Sequence, residues 1–191
     1  MPDKQETLSP RERALAAPVV IMAALLQIKL MGPAIGLLSL GLIAAYAVWA
    51  VMRFKENSAA ILPLYLTGIA IQFLHSCEEY LTGFQRELPG LLGYEWSNTR
   101  FVVFNLIWLS VFAAAAAGVH RRIRPAYLIV VFFALAGGIG NGLGHLALSI
   151  VQQRYFPGTL TAPLNLMVGV LLLRRLFNPA EPQDSLKLQR N

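Results

Sequence analysis

Charged residues are scarce in this chain. Asp, Glu, Lys and Arg make up 14% of its 191 residues, whereas a soluble globular domain usually carries about 25%. Hydrophobic residues make up 56%, and apolar runs recur from Leu15 to Phe177. Because the shortage of charge extends along the chain, the sequence argues against an appended soluble domain. It predicts one integral membrane domain with short polar tails.

Cysteine is almost absent, and nucleic-acid binding is not indicated. Cys77 is the single cysteine, which excludes an internal disulfide. Cysteine usage therefore does not indicate whether the protein lies in an oxidising or a reducing compartment. The net charge is +6, but the basic residues cluster at the ends of the apolar runs. Membrane topology accounts for that placement without a nucleic-acid partner.

Six apolar runs approach or reach the roughly 20 residues that a helix needs to cross a bilayer. They predict an all-α, polytopic membrane helix bundle. The predicted spans are 14–30, 34–52, 58–80, 101–119, 126–151 and 159–177. The first span is the weakest, because it is short and contains Gln27 and Lys29.

The domain organisation follows from these spans. We expect an N-terminal cytoplasmic tail (1–13), a single transmembrane domain (14–177) and a flexible C-terminal cytoplasmic tail (178–191). The longest connection, 81–100, contains Tyr94 and Trp96 and is expected to form a structured interfacial segment or lid.

Basic residues divide unequally between the two sides of a six-span bundle. Twelve lie on the side that holds both termini, and four lie on the other side. The positive-inside rule therefore predicts that both termini are cytoplasmic. We expect a multi-pass protein of the plasma (inner) membrane, surrounded by lipids.

The two acidic residues inside the apolar runs belong to one string, His75-Ser76-Cys77-Glu78-Glu79, near the end of the third span. A charged side chain costs about 2.5–3.5 kcal/mol at the centre of a membrane helix, so intramembrane ionisable residues are functional candidates. His75, Glu78 and Glu79 are spaced i, i+3 and i+4, which predicts one shared helix face. The fifth span carries Asn141 and His145, also one turn apart.

Counting 1.5 Å per residue along each span places the polar residues of several helices at one depth, in the outer third of the membrane. This predicts a site between the third and fifth helices. The residues expected to orient a substrate or the ligands are Asn141, Gln72, Asn105, Thr161 and Asn165.

Glycines surround Asn141 and His145 on the fifth span. Gly138/Gly142 and Gly140/Gly144 are both small-xxx-small pairs, a pattern that lets membrane helices approach closely. They predict close packing of this helix on its neighbours.

The chemistry of these residues suits an enzyme in two ways. His75, Glu78, Glu79 and His145 are candidate ligands of one divalent metal, Zn, Fe or Mn, with Asn141 as a ligand or orienting donor. Without a metal, Glu78, Glu79 and His75 are candidate catalytic residues, because like charges favour one protonated and one ionised carboxyl. Either site would serve a membrane-embedded hydrolase, oxidoreductase or isomerase acting on a lipid-like substrate.

Two other functions stay open. Intramembrane His and Glu residues also mark ion paths, which would make the protein a proton- or ion-coupled transporter. Alternatively, the His and Glu side chains only hold the helices together through hydrogen bonds.

The two motifs resemble those of the bacterial integral-membrane family named for HXXEE. The string from His75 to Glu79 matches that motif, and Asn141 with His145 matches the family's Asn-x-x-x-His pattern, over roughly the third to sixth spans. The resemblance implies a multi-helix membrane fold and no settled reaction. CAAX-type intramembrane proteases also carry a Glu-Glu pair, but Gly83 stands where they have an arginine.

Overall fold

The computed structural model describes residues 8–52 and 58–177, and every regular element within these ranges is helical. The predicted tails before residue 8 and after residue 177 lie outside the described residues. A short 3₁₀ helix covers Pro33–Ile35, and a π-helix covers Phe133–Gly140. The α-helices are α1 (Pro10–Met31), α2 (Gly36–Val51), α3 (Ser58–Thr82), α4 (Phe84–Gly90), α5 (Asn98–His120), α6 (Arg124–Phe132), α7 (Asn141–Gln152) and α8 (Ala162–Phe177).

Five of the helical stretches in the described ranges are long and apolar enough to cross a membrane. They are Pro10–Met31, Pro33–Val51, Ala59–Thr82, Asn98–His120 and Arg124–Gln152. Helix α8 has 16 residues, or about 24 Å of axis, and adds a shorter sixth. The prediction of an all-α membrane bundle with about six spans is therefore confirmed, while the orientation of the termini stays a prediction.

The first helix begins at Pro10 rather than at residue 14, because a capping box starts it. The Glu12 backbone N–H donates to Ser9 Oγ (3.2 Å), and the Ser9 N–H donates to Glu12 Oε2 (2.8 Å). Proline is favoured at the first helical position, where its missing N–H costs nothing. The described part of the predicted tail thus belongs largely to α1.

The Arg124–Gln152 stretch lies at the centre of the bundle. In its most apolar segment 67% of the residues are buried, against 22–33% in the other four stretches. Helices α2, α5 and α8 pack around it, α3 packs on α5 and α8, and α1 packs on α2. Many leucines of α1 and α2 are exposed, as expected of faces that contact lipid.

Two glycines of this stretch contact α8 directly. A Cβ built on Gly138 would lie 2.6 Å from the Cα of Gly169, and one on Gly142 would lie 2.8 Å from the carbonyl oxygen of Ala162. The predicted close packing is confirmed for this pair. It is wrong for Gly140/Gly144, because a Cβ on Gly144 would meet nothing within 4 Å.

The connection after α3 is structured, as predicted. Gly83, with φ of +92°, ends α3 and lets α4 begin. Farther on, the Trp96 Nε1–H donates to the carbonyl oxygen of Met31 (2.6 Å), and the Tyr94 hydroxyl accepts from the N–H of Ala34 (2.6 Å). These bonds fix the connection against the α1–α2 turn and hold α4 over the end of the bundle where α3 and α7 finish.

Candidate metal centre

Three ionisable side chains converge where α3 and α7 meet. His75 and Glu79 are one turn apart on α3, and His145 faces them from α7. Glu79 Oε1 lies 3.5 Å from His75 Nε2 and 3.2 Å from His145 Nε2. The three residues are buried, with exposed fractions of 0%, 5% and 2%, and each offers one ligand atom within 4.8 Å of the others. They are called the triad below.

The second ring nitrogen of His75 is held by a threonine. The Thr161 hydroxyl donates to Glu78 Oε2 at 2.5 Å, and Thr161 Oγ1 lies 2.7 Å from His75 Nδ1. Because the hydroxyl proton points to Glu78, Thr161 Oγ1 is left to accept from the His75 Nδ1–H. The lone pair of the neutral ring is then on Nε2, which is buried and has no hydrogen-bond partner.

The orientation of His145 is fixed by a backbone carbonyl. Its Nδ1 lies 2.5 Å from the carbonyl oxygen of Pro157, which can only accept, so Nδ1 carries the proton. In the neutral ring the Nε2 lone pair then faces two oxygens, Glu79 Oε1 and, at 2.9 Å, Asn141 Oδ1. A cation or an extra proton between them would satisfy this cluster of acceptors, as would an Asn141 amide turned to donate its N–H.

The donor set of the triad fits a divalent metal. Metal-bound histidines usually donate their second N–H to a carbonyl or another acceptor, which is what Pro157 and Thr161 provide. Two ligands about 2.1 Å from a tetrahedral Zn²⁺ would be roughly 3.4 Å apart, close to the two N–O separations of the triad. The buried His75/Glu79/His145 group is therefore able to hold a metal ion.

Glu78 points away from the triad, to the connection between α7 and α8 (residues 153–161, called the 153–161 loop). Its carboxylate accepts from the backbone N–H groups of Leu160 and Thr161, both at 2.8 Å, and from the Tyr155 hydroxyl at 2.5 Å. Burial and the bond to Glu78 raise the pKa of Tyr155 above its ordinary value. Glu78 was predicted to be a ligand and catalytic residue; the structure places it as an anchor of the loop that orients both rings.

Gly158 permits both imidazoles to lie against the 153–161 loop. Its φ is +91°, a backbone conformation that favours glycine. A Cβ there would lie 2.5 Å from His145 Nδ1 and 2.9 Å from His75 Cε1. A side chain at Gly158 would therefore displace the rings of the triad.

An apolar cavity of about 350 Å³ opens beside the triad. Glu79, His145 and Asn141 contribute polar groups to its wall, and most other lining residues are aromatic or aliphatic. Leu37 of α2 and Gly140 of the central stretch line it and are also exposed. The cavity thus reaches the side of the bundle that would face lipid.

The other predicted residues divide into two groups. Gln72 and Asn105 line the cavity, and Asn105 Oδ1 accepts from the Ser76 hydroxyl at 2.9 Å. Asn165 is buried one turn beyond Thr161, and its Nδ2 has no hydrogen-bond partner. The triad, Asn141 and Thr161 lie together, whereas Asn165 has no hydrogen bond to the triad.

Several residues of the site were not predicted. Pro157 and Gly158 fall between the fifth and sixth predicted spans and had no predicted role, yet their backbone shapes the triad. The Phe84 ring of α4 lies 5.1 Å from the His145 ring, centroid to centroid, and covers it. A Pro-Gly step between two helices that both carry polar residues was the available signal for the first two, and Phe84 had none.

The comparisons with known proteins agree with the two motifs. A family model described as "Protein of unknown function with HXXEE motif" matches residues 66–172, more than half of the chain. No curated protein and no solved structure matches the chain. The matched region runs from α3 into α8 and so contains the triad, Asn141 and the 153–161 loop. The chain belongs to this HXXEE-motif family of unknown function.

Proposed function

We propose that the protein is a membrane-embedded, metal-dependent enzyme that acts on an apolar, lipid-like molecule. One observation carries the proposal: both histidines hold Nδ1 within hydrogen-bond distance of an oxygen outside the triad and direct Nε2 at one buried carboxylate. A buried carboxylate needs a compensating charge, and two neutral imidazoles do not provide it. A divalent cation does.

The residues of the triad would have distinct tasks. His75, Glu79 and His145 would hold the ion, and two imidazoles with one carboxylate suit Zn, Fe or Mn. When bound, such an ion polarises a carbonyl or phosphoryl oxygen, or activates water. Asn141, 2.9 Å from His145 Nε2, is placed to orient a ligand or substrate, and Glu78 is a positioning residue that acts through Thr161.

The cavity supports an apolar substrate. Three protein ligands leave a fourth position open in catalytic zinc sites, and Glu79, His145 and Asn141 all line the cavity. Its wall is mainly aromatic and aliphatic, as in most small-molecule sites. Because the cavity reaches the lipid-facing side, substrate would enter from the bilayer. We place the site in the outer half of a plasma (inner) membrane, with cytoplasmic termini.

An acid/base site without metal is the second candidate. The 3.2 Å separation of His145 Nε2 and Glu79 Oε1 also suits a hydrogen bond from a doubly protonated imidazole. His145 would then deliver a proton and Glu79 would accept one. Transport has less support, because the core on the inner side of the site packs aromatic rings such as Tyr65, Phe112 and Phe133.

Metal analysis of the purified protein tests the proposal. The protein is extracted in detergent, loaded in turn with Zn²⁺, Fe²⁺ or Mn²⁺, desalted and analysed for bound metal. We expect about one ion per chain for wild type and a loss of most of it for Glu79→Gln and His145→Ala. Glu87→Gln is the matched control, because Glu87 pairs with Arg154 at 2.6 Å outside the triad.

The outcome decides between the two candidates. Stoichiometric metal that depends on Glu79 and His145, but not on Glu87, supports the metal-dependent enzyme. If no preparation retains metal, the proposal is wrong and the acid/base site replaces it. Equal metal content in the Glu79→Gln variant and wild type would also contradict the proposal.

A further inference from the structure

We infer that the cavity binds an apolar molecule that carries a hydroxyl group, and that Gln72 recognises this hydroxyl. The inference deepens the proposed function, on which it rests for the assignment of this molecule as substrate. The binding of the molecule itself requires only the cavity and Gln72.

Gln72 places an unused polar group on an apolar wall. The residue is 91% buried, and its Oε1 is buried without a hydrogen-bond partner. It lies on α3 and lines the cavity together with Gly137 of the π-helix. A Cβ built on Gly137 would be 3.8 Å from Gln72 Oε1, so the absence of a side chain there leaves room beside the amide.

A buried amide oxygen without a partner is costly, which indicates that a ligand completes it. The surrounding cavity wall includes Trp108, Phe112 and Phe132, so the body of that ligand must be apolar. A hydroxyl suits the Gln72 amide oxygen, because it can donate to it without carrying a charge. A charged group would lack a counter-charge there.

The size and position of the cavity restrict the ligand further. A volume of about 350 Å³ corresponds to roughly a dozen non-hydrogen atoms, at about 30 Å³ each. Gln72 lies seven residues before Glu79, or about 10 Å along the α3 axis. A hydroxyl bound at Gln72 would therefore lie about two turns of α3 from Glu79, and one turn from His75.

Tryptophan fluorescence provides a direct binding test. Trp96 and Trp108 line the cavity, whereas Trp49 is buried in the core away from it. A brominated ligand in the cavity should therefore quench part of the emission. The probes are 10-bromodecan-1-ol and 1-bromodecane, which differ in the hydroxyl, added to the full-length protein in lipid nanodiscs.

The matched variants are Gln72→Met and Gln27→Met. Gln27 is also buried with an amide that has no partner, but it lies on α1 outside the cavity. The quantity compared is the affinity for the alcohol divided by the affinity for the alkane. We expect this ratio to be roughly 5- to 10-fold higher for wild type and Gln27→Met than for Gln72→Met, which is the effect of one hydrogen bond. Taking this ratio between variants cancels the different partitioning of the probes into lipid.

Each outcome bears on the inference. A preference that disappears only in Gln72→Met supports it. It is overturned if the preference is equal in all three proteins, or if neither probe quenches the wild type. Metal content is measured on the same preparations, which separates the two proposals. A protein that holds no metal but still prefers the alcohol would contradict the proposed metal-dependent enzyme and leave the binding inference standing.

Discussion

Thr161 links Glu78 to His75 through one hydroxyl. Its Oγ1 donates to Glu78 and faces His75 Nδ1 at 2.7 Å. Partners of this kind, one shell away from a metal, typically change its affinity by 10- to 100-fold. The hydroxyl therefore determines which nitrogen of His75 is available to the triad.

Removing this hydroxyl should weaken metal binding without removing a ligand. For Thr161→Val, which is similar in shape, we expect the metal affinity to fall by about 10- to 100-fold. Competition with a chromophoric chelator measures the affinity. Thr161→Ser keeps the hydroxyl and should stay within a few-fold of wild type. A Thr161→Val variant that binds metal as tightly as wild type would show that the hydroxyl does not orient His75.

The sequence identified the residues of the site better than their individual tasks. His75, Glu79 and His145 could be predicted because ionisable groups in apolar spans are costly and because their depths match. Glu78 and Glu79 could not be distinguished, since both lie within one turn of His75. Their side chains diverge by about 100° around α3, and only the position of the 153–161 loop decides which one it meets.

At the scale of elements, the central stretch uses its glycines in two ways. Gly138 lies against Gly169 of α8, whereas Gly144 faces the open cavity. The same small-xxx-small spacing therefore serves helix contact on one face and cavity volume on another. The pattern predicts close approach, but the neighbouring helix on each face decides whether it occurs.

A methyl group should have opposite consequences at these two glycines. Gly138→Ala places a Cβ 2.6 Å from a backbone atom of α8, which forces the π-helix and α8 apart and should destabilise the protein by about 1–3 kcal/mol. Gly144→Ala meets nothing within 4 Å and improves helix propensity. Thermal unfolding in detergent checks this: a melting temperature lowered as much by Gly144→Ala as by Gly138→Ala would contradict the assignment.

Helix positions were predictable, but the path of the backbone inside and between helices was not. Apolar runs gave most helix ends to within a few residues; α1 starts four residues earlier than predicted because Ser9 and Glu12 cap it. The π-helix Phe133–Gly140 has no signature in hydropathy, since it changes the hydrogen-bond spacing and not the residue types. The ring contacts of Gly158 depend on a fold that brings α3 to the loop.

At the scale of the whole molecule, the cavity lies between α2, α5 and the C-terminal part of the central stretch. Leu37 and Gly140 at its edge are exposed, so a ligand would enter the cavity from the bilayer. The sequence predicted the common depth of the polar residues. It could not predict the cavity itself, whose wall includes the contact of Gly41 with Ala136.

Filling the cavity should separate ligand binding from metal binding. Gly144→Phe adds a ring to the wall without a backbone clash. Quenching of Trp96 and Trp108 by 10-bromodecan-1-ol should then fall at least several-fold, because the volume is occupied, while bound metal should remain at the wild-type level. Gly36→Phe is the control, since Gly36 also has open space but lies outside the cavity. Equal quenching in both variants would mean that the probe binds elsewhere.

The 153–161 loop has a thermodynamic consequence. It contacts both rings of the triad and is anchored to α3 by Glu78, so opening the loop would release the orientation of two ligands at once. Metal binding and loop closure would then form one linked equilibrium. An ion at 100 times its Kd would stabilise the closed loop by about 2.7 kcal/mol. The rate at which a protease cuts this loop would thus report how much metal the protein holds.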